Sequence, residues 1–158
     1  MVVLQEEIGT PMEITSLSWD PSDPTHTVTF DEITIYMGLC STDELGMDFE
    51  ANYVPGTKTQ VFHAVNPTWF AGTSWFTIDL DTPFWYDGTH NLIIDVEWPD
   101  GSGQIYTYNW YSGTNRALTS DYGSPTGIPE QTLSHLMLNG TLTLNQDTFG
   151  AIKALFAQ

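Results

Sequence analysis

Positive charge is nearly missing from this chain: Lys58, Arg116 and Lys153 stand against 20 Asp and Glu in 158 residues, a formal net charge of −17. Phosphate recognition needs clustered cations, so nucleic acid is excluded as a partner, and an anionic membrane surface on the same ground. Cysteine is as scarce. Cys40 alone permits neither an internal disulfide nor a cysteine-built zinc site. No apolar run reaches transmembrane length, so membrane insertion is not expected. Met1-Val-Val-Leu4 leads into Gln5-Glu6-Glu7 without the cationic start, apolar core or cleavage site of a signal peptide. Glycine-rich nucleotide fingerprints and βαβ alternation are also missing, which argues against a parallel α/β enzyme.

What is present is strand material. Hydrophobic residues make up 41% and aromatics 13% of the chain, with 13 Gly and 9 Pro, enough apolar content and turn chemistry for one globular domain. Apolar and polar residues alternate in short runs bounded by Gly, Pro, Asn and Asp. The runs predict strands over 12–19, 27–37, 59–65, 74–80, 91–98, 104–111 and 133–144, with an edge strand within 1–8. Ile33, Ile35 and Met37 change register relative to Val28 and Phe30, which predicts a bend near Asp31-Glu32. Seven to nine antiparallel strands with these turns predict an all-β, jelly-roll-like sandwich.

Two segments depart from the pattern. The acidic excursion 41–57 has room for one helical turn, capped by Ser41 or Thr42, before Pro55-Gly56 ends it. The tail 147–158 places Phe149, Ile152, Leu155 and Phe156 near helical spacing behind an Asp147 or Thr148 cap. The expected organisation is therefore a sandwich domain at 1–146 and an apolar tail or short helix at 147–158. A helix that short does not hold alone in water and must dock on its own domain or on a neighbour.

The stretch Asp81-Thr-Pro-Phe-Trp-Tyr-Asp-Gly-Thr-His90 poses the sharpest local question. Asp87-Gly88 marks a turn, after which Leu92, Ile94, Val96 and Trp98 fall on one face. Before it, Phe76, Ile78 and Leu80 alternate, so the two strands are expected to share a core layer. Continued past Pro83, the alternation puts Phe84 in the core, Tyr86 at its border and Trp85 on the surface.

These residues also carry a resemblance. Ile35-Tyr-Met-Gly-Leu39, Asn52-Tyr-Val-Pro-Gly-Thr-Lys-Thr-Gln-Val-Phe62 and the run from Trp75 to Val96 resemble a β-sandwich module of large secreted or surface proteins of bacteria. Thr148-Phe-Gly-Ala-Ile-Lys-Ala-Leu-Phe156 resembles a short C-terminal segment of such exported proteins. The resemblance covers most of the chain and implies an extracellular or cell-surface location and a non-enzymatic role. It carries no catalytic residues.

Candidate chemistry is sparse. His26, His63, His90 and His135 form no metal-binding pair in sequence, and Cys40 at the end of an apolar strand reads as a buried small residue. Asp20, Asp23 and Asp31 offer oxygen ligands for a structural calcium ion, as do Asp43, Glu44, Asp48 and Glu50, although a solvated acidic loop explains either set. No other cofactor is expected. Asn139-Gly-Thr141 is a glycosylation sequon and equally a turn between Leu136-Met-Leu138 and Leu142-Thr-Leu144.

Two functional readings follow. In the first, a structural or adhesive module self-associates or joins neighbouring modules through Val2, Val3 and Leu4 at one end and Phe149, Ile152, Leu155 and Phe156 at the other. Docking of both ends within the chain is the simpler alternative. In the second, Tyr106, Tyr108 and Trp110 share a strand face and, with Trp85, form a platform for a polysaccharide. Packing of that stripe against the opposite sheet is the competing explanation.

Overall fold

The computed structural model describes residues 1–142. In chain order, β1 (Val2–Val3) precedes one helical turn, α1 (Gln5–Ile8), and is followed by β2 (Met12–Trp19), β3 (His26–Phe30) and β4 (Glu32–Cys40). The excursion after β4 carries a 3-10 turn at Glu50–Asn52. Then come β5 (Thr59–Val65), β6 (Thr68–Ala71), β7 (Phe76–Tyr86), β8 (Asn91–Glu97) and β9 (Gly101–Gly103). Four short strands, β10 (Asn109–Tyr111), β11 (Ala117–Thr119), β12 (Ile128–Glu130) and β13 (Thr132–Ser134), lead into β14 (Leu136–Leu142).

Two antiparallel sheets form the sandwich. One has the order β1-β8-β4-β5 and the other β14-β2-β7, and they enclose a core of Met12, Ile14, Leu17, Ile35, Met37, Val61, Ile78, Phe84, Tyr86, Leu92 and Ile94. A third sheet, β6-β3-β9, and the pairs β10-β13 and β11-β12 complete the structure. The molecule is all-β and sandwich-like, as the alternation predicts.

Irregularities in the strands fix which residues reach the core. In β2, Thr15 is skipped by both neighbours: Ile14 and Ser16 face Gly140 and Asn139 on one side and Phe84 and Asp79 on the other. One extra residue inverts the alternation, so Met12 and Ile14 point inward before it and Leu17 after it. On β7 the residues opposite this bulge, 80–83, contain the proline that ladder pairing would not tolerate. The predicted bend near Asp31 is a full corner. Residues 26–30 pair with β6 and β9, whereas 32–40 pair with β5 and β8.

The Asp87-Gly88 turn is present, but β7 and β8 do not share a layer. The turn carries the chain from one sheet to the other, so Phe84 and Tyr86 meet Leu92 and Ile94 across the core. Tyr86 is fully buried and donates its hydroxyl to the His90 carbonyl at 2.6 Å. Trp98 lies beyond β8, half-exposed against Phe30 at 5.7 Å between ring centroids. The alternation also misses Ile93, buried on the opposite face with Val2, Cys40, Leu45 and Tyr53. That second face is covered by the excursion, whose 3-10 turn begins at residue 50 and so is capped by neither Ser41 nor Thr42. Gly38 makes the cover possible, because a Cβ there would sit 2.5 Å from the Tyr53 ring. Lys58 closes the cover, with its ammonium 2.6 Å from Glu50 and 3.5 Å from Asp95 and lying over the Tyr36 ring. Burial opposes the Lys58 charge, but these carboxylates outweigh it and raise the pKa.

Predicted strands 104–111 and 133–144 are shorter than expected. Tyr106 and Tyr108 spend their backbone groups on the loop after β2: the Ser22 amide donates to the Tyr106 carbonyl at 3.0 Å, and the Tyr108 amide to the Asp20 carbonyl at 2.9 Å. His135 interrupts the second run by donating its amide to the Tyr108 carbonyl at 2.8 Å.

The sheet-to-sheet turn is held by one carboxylate. Asp87 accepts the Thr89 amide at 2.8 Å and the His90 amide at 3.1 Å, and its other oxygen lies 2.6 Å from His90 Nδ1. Burial works against the charge, but these donors outweigh it and hold the Asp87 pKa at about 2. Because the folded pKa lies below the ordinary value of about 4, the stabilisation is complete above about pH 4 and is lost as pH falls toward 2. Asp87→Asn is therefore expected to cost about 1–2 kcal/mol at neutral pH and almost nothing near pH 2. Urea unfolding of both proteins across that range checks it.

Candidate functional site

One side of the sandwich is closed, where the His63 amide at the β5 edge donates to the Asp81 carboxylate of β7 at 2.8 Å. Among the described residues the other side is open. There β14 and β1, the two outermost strands, leave a cleft of about 380 Å³. Leu136, Leu138 and Met12 line it from one sheet and Met1, Val3 and Ile8 from the N-terminal segment, while Trp110, Leu133, Ser134, Arg116 and Glu7 give it a partly polar end.

The N-terminal wall is built by hydrogen bonding to its own chain. Val2 and Val3 pair with Ile93 and Leu92, and Met1 accepts the Ile94 amide at 2.9 Å. Arg116, 5% exposed, donates to the Val2 carbonyl at 3.1 Å and through Nη1 to the Glu7 carboxylate at 3.0 Å; its Nη2 also reaches Glu7. Burial raises the Glu7 pKa, but the Arg116 bond and the Leu4 amide outweigh it and lower the value. The Arg116 guanidinium lies 5.2 Å from the Trp110 ring centre. Val3 is thus committed to this wall, Val2 is fully buried on the other face with Cys40, Leu45, Tyr53 and Ile93, and the Leu4 amide donates to the Glu7 carboxylate at 2.8 Å. Phe149, Ile152, Leu155 and Phe156 lie outside the described residues.

β14 is unusual as an edge. Its seven residues, Leu136-Met-Leu-Asn-Gly-Thr-Leu142, include no charge and no proline, the usual protections of a free edge. Its outer side has no strand partner among the described residues. Leu142 pairs with Met12 yet is 66% exposed, because it stands at the open side. The sequon Asn139-Gly-Thr141 is not a turn but continuous strand. The Asn139 amide donates to Ser18 Oγ at 2.8 Å, and a Cβ on Gly140 would lie 1.9 Å from the Glu13 carbonyl.

Tyr106, Tyr108, Trp110 and Trp85 are all exposed, so the stripe is not packed against the opposite sheet, but Trp85 stands apart from the other three. Tyr106 stands edge-on to His26 at 5.4 Å, Tyr108 lies beside His135 at 6.1 Å, and Trp110 turns toward Arg116 and the cleft. Trp85 is exposed as expected but pairs with Glu13, whereas Tyr108 bonds Asp20, so the length of β2, roughly 20 Å, separates them.

The acidic groups are used one at a time. Asp23 sits 2.9 Å from His26, Asp20 3.6 Å from His135 and Glu32 3.0 Å from His63. Asp31 holds the corner through its backbone, accepting the Asn66 amide at 2.9 Å. Asp20, Asp23 and Asp31 are therefore not drawn together, and no group of three or more metal-ligating side chains is gathered among the described residues. In the excursion, Asp43 accepts Asn91 Nδ2 at 2.8 Å, Asp48 accepts the Ala51 amide at 3.1 Å, and Glu50 binds Lys58. Cys40 is buried, its thiol donating to the Thr42 carbonyl at 3.2 Å. No helix among the described residues is long and apolar enough to cross a membrane.

Fold and site define an all-β sandwich with one unsealed side. No protein-family model, curated protein or solved structure matches the chain.

Sequence reasoning missed the cleft because its walls, β14, the N-terminal segment and the chain around Arg116, are brought together only by pairings across most of the sequence. One signal was available: in a chain with three cations, Arg116 would be reserved for a specific carboxylate. Arg116→Ala is expected to cost about 3–5 kcal/mol, because it leaves Glu7 and the Val2 carbonyl without their donor, and Glu7→Gln less. Urea denaturation measures the loss. Hydrogen exchange at Val2 and Ile94 locates it.

Proposed function

We propose that this chain is a non-catalytic extracellular structural or adhesive module that assembles with neighbouring subunits, each open side receiving the apolar 149–156 segment of the next copy. The observation that supports this reading is the uncharged edge of β14, without a strand partner among the described residues, bordering a cleft lined mostly by apolar side chains. An incoming segment would take main-chain hydrogen bonds from β14 and set alternate side chains among Leu136, Leu138 and Met12, as in strand addition. Each large apolar side chain buried there is worth about 1.5–3 kcal/mol. The N-terminal strand plays a different part, since Val2 and Val3 pair within the chain and Val3 lines the receiving site. The surface location rests on the resemblance of the sequence to exported modules.

Charge sets the conditions. Copies of net charge −17 repel one another, and salt screens that repulsion, with a Debye length of about 30 Å at 0.01 M falling to about 8 Å at 0.15 M. Assembly is expected to strengthen as salt rises through this range. Light scattering and negative-stain microscopy of the full chain should show concentration-dependent oligomers. Removal of residues 147–158, or Leu138→Glu in the cleft, should return monomers. A full chain that stays monomeric at every concentration and salt, with truncation lowering only its melting temperature, would assign the tail to its own cleft and overturn the assembly reading.

A further inference from the structure

A second concavity lies between β6 and the start of β7. It is an open groove of about 610 Å³ within residues 68–77, and its lining is aromatic, hydroxylic or glycine, with no charged side chain. On a chain of net charge −17 a charge-free groove is selective by itself. Phe70 is 61% and Trp75 41% exposed, so two large apolar rings stand in solvent beside it.

The floor beneath them is rigid. Alternation in β6 turns Trp69 inward, where its ring lies 5.8 Å from Phe30, 6.0 Å from Phe62 and 5.5 Å from Phe76, and turns Phe70 outward. The hydroxyls at the two ends are already engaged, Thr68 with Thr29 at 2.8 Å and Thr77 with Ser18 at 2.7 Å. Those of Thr73 and Ser74, between Phe70 and Trp75 in sequence, have no hydrogen-bond partner among the described residues and line the groove. Gly72 adds no side chain between Phe70 and the groove.

We infer that this groove binds an uncharged polysaccharide. Trp75 and Phe70 stack on the C–H faces of its pyranose rings, and Thr73 and Ser74 bond its hydroxyls. Apolar faces fringed by hydroxyl groups match a lining of aromatic rings and hydroxyls without charges. An anionic glycan would be repelled by the protein's field, and a cationic ligand would prefer the acidic surface elsewhere.

Native affinity electrophoresis of the full chain through gels containing mixed-linkage β-glucan, xylan or galactomannan tests this, with alginate as the anionic control. Retardation is expected with at least one neutral polymer and none with alginate. Trp75→Ala and Phe70→Ala should each weaken binding about tenfold, and Thr73→Ala with Ser74→Ala should weaken it without touching either ring. Trp85→Ala should leave it unchanged, which separates this groove from the exposed ring on β7. No retardation by any neutral polymer, or retardation that survives Phe70→Ala with Trp75→Ala in a protein of native melting temperature, would overturn the inference.

Discussion

The Arg116 guanidinium holds the N-terminal segment in the sandwich. It binds the Val2 carbonyl and the Glu7 carboxylate together, while the Val2 amide donates to the Arg116 carbonyl at 2.8 Å, so a segment of eight residues is tied to a loop more than a hundred positions away. β1 contributes only two paired residues, too few to stay in place by ladder bonds alone. With β1 fixed, Val2 closes the small core beneath the excursion, and Val3 and Ile8 become the near wall of the cleft. Arginine suits the position because its planar fork can hold a carboxylate and a carbonyl at once and still lie beside Trp110.

The two described cations are used inside the fold, Arg116 at the N-terminal wall and Lys58 at the base of the excursion. Their positive charge is spent on particular carboxylates, so the remaining acidic groups face water largely unopposed. Such a surface disfavours indiscriminate association and leaves charge missing at two places, the β14 edge and the Phe70–Trp75 groove.

Much of the sandwich was legible in the sequence because the strands at 12–19, 59–65 and 91–97 carry period-2 alternation or a register break that betrays a bulge. Phe84 and Trp85 fell as read, one inside and one out, whereas Tyr86, read at the border of the core, is fully buried in it. The sheet assignment of β7 and β8 was not legible, since a four-residue turn between alternating runs looks the same whether it returns to its own layer or crosses to the other. β6, β9, β11 and β12 were missed because three or four residues cannot display a period. The run 104–111 came out shorter for another reason: Tyr106 and Tyr108 bond the loop after β2, a long-range choice no local pattern announces. Ile93 looked outward until the excursion, held by Tyr53 against Gly38, gave its face a cover.

The pairing of β2 has a consequence in time. Its partners are β7, more than fifty residues later, and β14, more than a hundred residues later. While the chain emerges from the ribosome or a translocation pore, β2 waits with both edges bare, first for one neighbour and then for the other. Contacts of such sequence separation make folding slow and leave early strands exposed to wrong partners. The acidic surface that keeps finished copies apart also keeps unfinished chains from meeting.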